Sequence, residues 1–110
     1  KLKAANIVPV LLTNARSYRG VAHKEAAKLA ESSLFYHSCM NLDGLHKASE
    51  MFNQTIADVA RKHDVKLIDM AEAIPSGRAY FVDAHHFTLK GDTVAAQVIH
   101  AALADVIVPR

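Results

Sequence analysis

Two apolar segments, far apart in the chain, limit the possible folds more than any other feature. Residues 6–13 read NIVPVLLT, a run rich in Val and Leu, and residues 65–70 read VKLIDM. Short, nearly continuous apolar runs are typical of strands buried on both faces of a parallel sheet. Parallel neighbours need a long crossover, which a helix usually supplies. The sequence therefore predicts an α/β fold with a parallel sheet, with a local irregularity at Pro9 because proline lacks a backbone donor.

Helical periodicity fills the connection between these runs and the end of the chain. Apolar residues recur at spacings of three and four over residues 21–34 and 45–63, and again after Thr88, the predicted N-cap of the last helix. Residues 80–82 predict a short extended piece. The predicted order is strand, helix, helix, strand, loop, helix. The stripe predicted to be buried in the last helix consists of Leu89, Val94, Ala95, Val98, Ile99, Ala102 and Leu103.

The composition is that of one compact domain. The chain has 110 residues, 51% of them hydrophobic and 22% charged, which suits a single packed core. The formal net charge of +2 is too small and too scattered for a nucleic-acid-binding surface. No apolar stretch approaches the roughly 18 residues that span a bilayer, and the single cysteine, Cys39, cannot form an internal disulfide. We expect neither a nucleic-acid partner nor a membrane span.

The first residue is Lys1 rather than Met, and an apolar segment follows almost at once. We therefore expect residues 1–110 to be a single domain that forms the C-terminal half of a longer one. Two parallel strands with helices on them leave an apolar edge with unpaired backbone groups. We expect the N-terminal half, a second copy or another chain to complete the sheet beside residues 6–13.

The motif with most chemical content is Asp83-Ala84-His85-His86-Phe87-Thr88, in the loop before the last helix. A carboxylate and an imidazole three residues apart in a loop can turn toward each other. The carboxylate then accepts from one ring nitrogen, and the other nitrogen can act as a base. This predicts an Asp83–His86 hydrogen bond of roughly 2.6 to 3.2 Å, with the His85 side chain pointing elsewhere. The alternative is that Asp83 caps a turn and both histidines are solvated.

The block D-x-x-H-F-T-x-x-G and the Ala-rich and Val-rich helix after it, over residues 83–103, resemble the C-terminal block of the SGNH hydrolases, also called GDSL esterases and lipases. The strand ending in Thr13, the helix with Phe52-Asn53-Gln54, and the strand before a Pro and Gly turn are arranged as in the second half of such enzymes. The resemblance implies a three-layer α/β/α, flavodoxin-like fold. It also implies hydrolysis of a small ester, with no metal or organic cofactor.

By this resemblance His86 is the general base that activates a serine, and Asp83 orients its ring. The family takes its serine from a Gly-Asp-Ser-Leu-like block, and its oxyanion donors include the Asn of a Gly-x-Asn-Asp-like block. This sequence contains neither block. The nearest string, Gly91-Asp92-Thr93-Val94, lies inside the last helix. The candidate serines also lack a Gly-flanked elbow: Ser17, Ser32, Ser33, Ser38, Ser49 and Ser76.

We therefore expect the serine to come from outside this chain, and the isolated chain to be nearly inactive on aryl acetate esters. The alternative, from a different class of protein, is a non-catalytic α/β interaction module or a decayed relative of the hydrolases. A Gly-Asp-Ser block encoded upstream of Lys1 would favour the enzyme, and a start codon near Lys1 would favour the module.

Four weaker candidate sites remain, and two of them involve histidines. Asp83, His85 and His86 could bind a metal ion, but adjacent histidines in an extended segment point to opposite faces, which makes this difficult. Cys39 with His37 or His46 could form a thiol site, although no orienting carboxylate is evident.

Polar residues after the two strands have structural and functional interpretations. Asp69 lies where α/β sheets collect functional groups, but capping of the next turn is favoured. Arg16 and Arg19, in the loop after the first strand, would either contact an anionic substrate group or be solvated, and the pattern favours solvation.

Overall fold

The structure is a computed structural model that describes residues 2–106. These residues form a mixed α/β arrangement with a two-stranded parallel sheet, which confirms the α/β part of the predicted fold class. The elements in chain order are a 3-10 helix Lys3–Ala5, β1 Val10–Leu12, α1 His23–Leu29, α2 Glu31–Tyr36, α3 Leu42–Lys62, β2 Lys66–Ile68, α4 Met70–Ala73 and α5 Leu89–Leu103.

The sheet is a parallel pair of β1 and β2, with Val10 opposite Lys66 and Leu12 opposite Ile68. The parallel pairing is confirmed, and β1 begins directly after Pro9, as the missing donor requires. Burial on both faces is wrong for β1, where Leu12 is 39% exposed. The reason is that, within residues 2–106, so small a sheet has few elements packed over it.

The helices follow the predicted segments with three differences, the first of which is that α4, Met70–Ala73, has no counterpart in the prediction. The segment 21–34 divides at Ala30 into α1 and α2. Helix α3 begins before residue 45, because the Asn41 side chain accepts a hydrogen bond from Gly44 N at 2.8 Å and caps an earlier turn. The Thr88 cap of α5 is confirmed, since its hydroxyl accepts from Gly91 N at 3.2 Å.

One residue of the stripe predicted for α5 does not face the core. Leu89 is 85% exposed, whereas Ala95 is buried and Val98 packs against the core. With about 3.6 residues per turn, Leu89 stands about half a turn from Val98 around the helix axis and therefore faces solvent. Within residues 2–106, no helix is both long and apolar enough to cross a membrane.

Two apolar clusters hold the elements together, and the stretch from Phe81 to Ala84 contributes one residue to each. Phe81, just before this segment, is buried in the cluster that joins the sheet to α4 and α5. Ala84, inside the segment, is fully buried in a second cluster with Tyr18 and with residues of α1 and α3. The backbone of the segment is therefore packed against the protein, although several of its side chains are exposed.

Candidate functional site

The D-x-x-H segment forms a tight loop, called here the dyad loop (residues 82–86). An antiparallel bridge between Phe81 and Phe87 closes it, and their rings pack with centroids 4.9 Å apart. Inside the bridge, Val82 N donates to His86 O at 2.8 Å. Ser17 N donates to Ala84 O at 3.2 Å and attaches the loop to the chain segment after β1. The loop is thus fixed at its base and at its tip.

Asp83 accepts hydrogen bonds with both carboxylate oxygens. Its Oδ1 accepts from His85 N at 3.0 Å and from His86 N at 2.9 Å. Its Oδ2 lies 2.7 Å from His86 Nδ1, inside the predicted range. The amide of His85, followed by the side chain and amide of His86, lowers the pKa of Asp83 well below its usual range, although desolvation opposes this. Asp83 is therefore ionised at neutral pH and accepts a hydrogen bond from Nδ1–H of His86.

This geometry selects the tautomer of His86 that a general base needs. With Nδ1 donating to the carboxylate, a neutral ring has its lone pair on Nε2. The His86 side chain is 68% exposed, so a reacting group can approach it. His86 is therefore the histidine whose ring pairs with Asp83, as the spacing predicted. His85 contributes its backbone amide but not its ring.

No serine hydroxyl in the described part of the chain hydrogen-bonds to His86. The Ser17 hydroxyl is buried without a hydrogen-bond partner, Ser49 is hydrogen-bonded to Tyr18, and Ser76 donates to Arg16 O. The Asp83–His86 pair therefore has no serine hydroxyl bonded to it among the described residues.

The expectation that the adjacent histidines point to opposite faces is wrong. Their ring centroids are 4.3 Å apart, and ligand atoms of Asp83, His85 and His86 all lie within 4.8 Å of one another. The reason is that both amides donate to Asp83 and bend the segment, so it is not extended. Because Asp83 already accepts three hydrogen bonds, about one of its four acceptor positions remains for a metal ion.

A second polar group, the strand-end cluster (Thr13, Asn14, Asn53 and Asp69), lies where β1 and β2 end. The Thr13 hydroxyl donates to Asp69 Oδ1 at 2.7 Å and accepts from Ala71 N at 3.0 Å. Asp69 also caps α4, as expected. Asn53 on α3 exchanges two hydrogen bonds with the Asn14 backbone, at 2.8 and 3.0 Å. Sequence reasoning missed Asn53 as a partner, because 39 residues separate the pair.

The two arginines after β1 differ in their surroundings. Arg19 donates to Ala71 O at 2.7 Å and pairs with Glu72 at 2.8 Å. The Arg16 guanidinium has no hydrogen bond or ion pair with any described residue, and its Nε is buried. A buried donor without an acceptor costs about 1–3 kcal/mol. Of the two arginines, Arg16 is therefore the one without a partner among the described residues.

Two adjoining cavities flank the strand-end cluster. The first, of about 300 Å³, extends from Thr13 and Asp69 to α3 and is also lined by Arg19 and Glu72. The second, of about 400 Å³, reaches the dyad loop at His85. Both are lined by Asn14, Arg16, Tyr18 and Ser49.

Cys39 is exposed and forms no disulfide.

No family model, curated protein or solved structure matches this chain. A functional proposal for it therefore depends on the geometry of its own residues.

Proposed function

We propose that this chain supplies Asp83 and His86 to a serine ester hydrolase acting on a small ester, with the serine provided by residues outside the chain. The observation that supports this most strongly is the 2.7 Å contact between His86 Nδ1 and Asp83 Oδ2. Two backbone amides hold the same carboxylate in place. Such a carboxylate can orient the ring and stabilise its charged form, while the exposed side of the imidazole accepts a proton.

The proposed reaction has two halves. In the first, His86 Nε2 takes the proton of the serine hydroxyl, and the serine oxygen attacks the ester carbonyl carbon. His86 then returns the proton to the departing alcohol, which leaves an acyl-enzyme. In the second half, His86 takes a proton from water, the hydroxide attacks the acyl carbon, and the carboxylic acid is released as the serine recovers its proton. Asp83 stays ionised throughout.

The test compares the 110-residue chain with a longer protein that also carries the residues encoded upstream of Lys1. We expect the longer protein to hydrolyse p-nitrophenyl acetate and to react with a fluorophosphonate serine probe. We expect the isolated chain to be nearly inactive, since a base without a nucleophile or oxyanion hole retains little acceleration. In the longer protein, His86→Ala should lower kcat by about 10³-fold or more.

The matched control is His100→Ala, another exposed histidine, in α5. It should leave the rate unchanged. The proposal is overturned if the longer protein is inactive, or if both histidine variants behave alike. A serine-reagent-sensitive esterase activity of the 110-residue chain would show that the nucleophile lies within it.

We further propose that the sheet is the C-terminal part of a three-layer α/β/α fold of the SGNH type, completed beside β1. Within residues 2–106, β1 pairs with β2 alone, and the preceding residues Ile7 and Val8 are 51% and 65% exposed. An apolar strand edge of this kind is a template for another strand. We expect the isolated chain to be marginally stable or to self-associate in analytical ultracentrifugation. A monomer that melts cooperatively and independently of concentration would contradict this and favour the self-contained module.

A further inference from the structure

The second cavity, beside the dyad loop, differs from the first in the charge of its walls. The first contains the carboxylates of Glu50, Asp69 and Glu72. The second is lined by no acidic residue among those described; its titratable groups are Arg16, His37 and His85, together with the Tyr18 hydroxyl. Arg16 lines both cavities, and in the second it has no carboxylate among the lining residues, which favours an anionic ligand there.

Arg16 is the residue of this cavity best suited to bind an anion. Neither Glu72, which pairs with Arg19, nor any other described acidic residue forms an ion pair with it. Its guanidinium has no hydrogen-bond acceptor or ion-pair partner among the described residues, so a bound oxyanion at its accessible edge would supply one. A guanidinium also presents a planar fork that matches the oxygens of carboxylate and phosphate.

We infer that the second cavity binds a small oxyanion, a carboxylate or phosphate group, through Arg16, with help from the neutral donors Asn14, Ser33 and Ser49. His85 lines the cavity, and its ring lies 4.3 Å from that of His86. A bound anion would therefore be placed beside the dyad. Assigning the anion to the substrate depends on the proposed function: the ester would carry a negative group, and Arg16 would determine specificity.

The test is direct binding, measured by isothermal titration calorimetry and by NMR of the 110-residue chain with inorganic phosphate and with acetate. We expect saturable binding of at least one probe, and the stronger probe identifies the group. Arg16→Gln should weaken that binding about tenfold or more, because a charge-assisted hydrogen bond is lost. Arg19→Gln, in the same loop, should change the affinity less than about twofold, since Arg19 lines the first cavity but not the second.

A second pair of variants covers the case in which Arg16→Gln fails to fold. Ser33→Glu places a carboxylate on the cavity wall and should abolish binding by offering Arg16 a competing partner. Ser32→Glu makes the same change at an exposed neighbour in α2 and should have little effect. The inference is overturned if both serine variants weaken binding equally, which would show an adventitious ion only. It is also overturned if Arg16→Gln binds the probe as tightly as the parent chain, or if neither probe binds saturably.

The failure of this inference is separable from failure of the proposed function. Asp83→Asn changes the dyad but no wall of the cavity, so its anion affinity should stay within about twofold of the parent chain. Retained binding with an inactive longer protein would overturn the hydrolase proposal alone. If the longer protein is active but the 110-residue chain binds neither probe, the anion site alone is overturned.

Discussion

The dyad loop and the strand-end cluster both use carboxylates to organise polar groups, but they are assembled over different chain distances. In the dyad loop, Asp83 contacts residues two and three positions away. In the strand-end cluster, Thr13 contacts Asp69 and Ala71, which are 56 and 58 residues away. The first arrangement is a local motif that a sequence pattern can contain. The second exists because β1 and β2 pair in parallel and end at the same edge.

The two regions also differ in exposure, and therefore in what they contribute to stability. The side chains of His86 and Asp83 are 68% and 35% exposed, so water screens much of their interaction. Thr13 is 6% exposed, so water cannot readily replace the hydrogen-bond partners of its hydroxyl. We expect the two hydrogen bonds of the Thr13 hydroxyl to stabilise the fold more per bond than the exposed bonds of the Asp83–His86 pair.

The largest effect is expected where Tyr80 and Phe87, which flank the dyad loop, pack against α5. A Cβ at Gly91 would lie 2.1 Å from the backbone oxygen of Tyr80 and 3.0 Å from Phe87, so Gly91→Ala must displace backbone. We expect it to lower the free energy of unfolding by about 3 kcal/mol or more, measured by urea denaturation. Gly44→Ala, in α3, is the control: its nearest contact is a side-chain oxygen at 3.3 Å, and the change should stay within about 1 kcal/mol. Similar losses in both would refute the packing account.

The next effect compares the hydroxyl of the buried Thr13 with that of an exposed threonine. Thr13→Val removes the group that donates to Asp69 and accepts from Ala71 N. We expect a loss of about 2 kcal/mol in the free energy of unfolding, because both partners lose a hydrogen bond in a half-buried site. Thr93→Val is isosteric and removes an exposed hydroxyl bonded to Leu89 O, so it should cost less than about 0.5 kcal/mol. If both valine variants unfold at the same urea concentration, the two hydrogen bonds of the Thr13 hydroxyl contribute no more to stability than the exposed one of Thr93.

A smaller effect is expected from the Asp83 carboxylate, and it depends on pH. Because hydrogen bonds lower its pKa in the folded state, the folded state binds fewer protons than the unfolded one, whose aspartate pKa is about 3.9. Asp83 therefore stabilises the fold above about pH 4 and loses this contribution as pH falls further. Asp83→Asn should cost about 1 kcal/mol at neutral pH, a value reduced for exposure, and should flatten the decline of stability in acid.

The control for this substitution is Asp58→Asn, which removes an exposed partner of Arg61. It should change the free energy of unfolding at neutral pH by less than about 0.5 kcal/mol. An Asp83→Asn variant with an unaltered acid profile would show that the hydrogen bonds to the amides of His85 and His86 do not contribute to stability.

The smallest effect on stability is expected at His86 itself. His86→Ala should change the free energy of unfolding by less than about 0.5 kcal/mol, because the ring is mostly exposed. This expectation contrasts with the large loss of kcat proposed above. A loss as large as that for Thr13→Val would indicate that His86 is mainly a structural residue.

The sequence determined the features that depend on neighbours within a few positions. The apolar runs predicted two parallel strands, Thr88 and Asp69 were identified as caps, and D-x-x-H predicted the Asp83–His86 contact. Each requires only a backbone turn and a side chain of the right length.

The tertiary structure decided what depends on distant partners. Arg16 and Arg19 have the same charge three residues apart in one loop, yet Glu72 of α4 pairs with Arg19 and no described residue pairs with Arg16. Asn53 became a partner of Asn14 because α3 packs across the strands. Local patterns cannot encode these outcomes, since they follow from which side chains the packed sheet and helices bring within a few ångströms of one another.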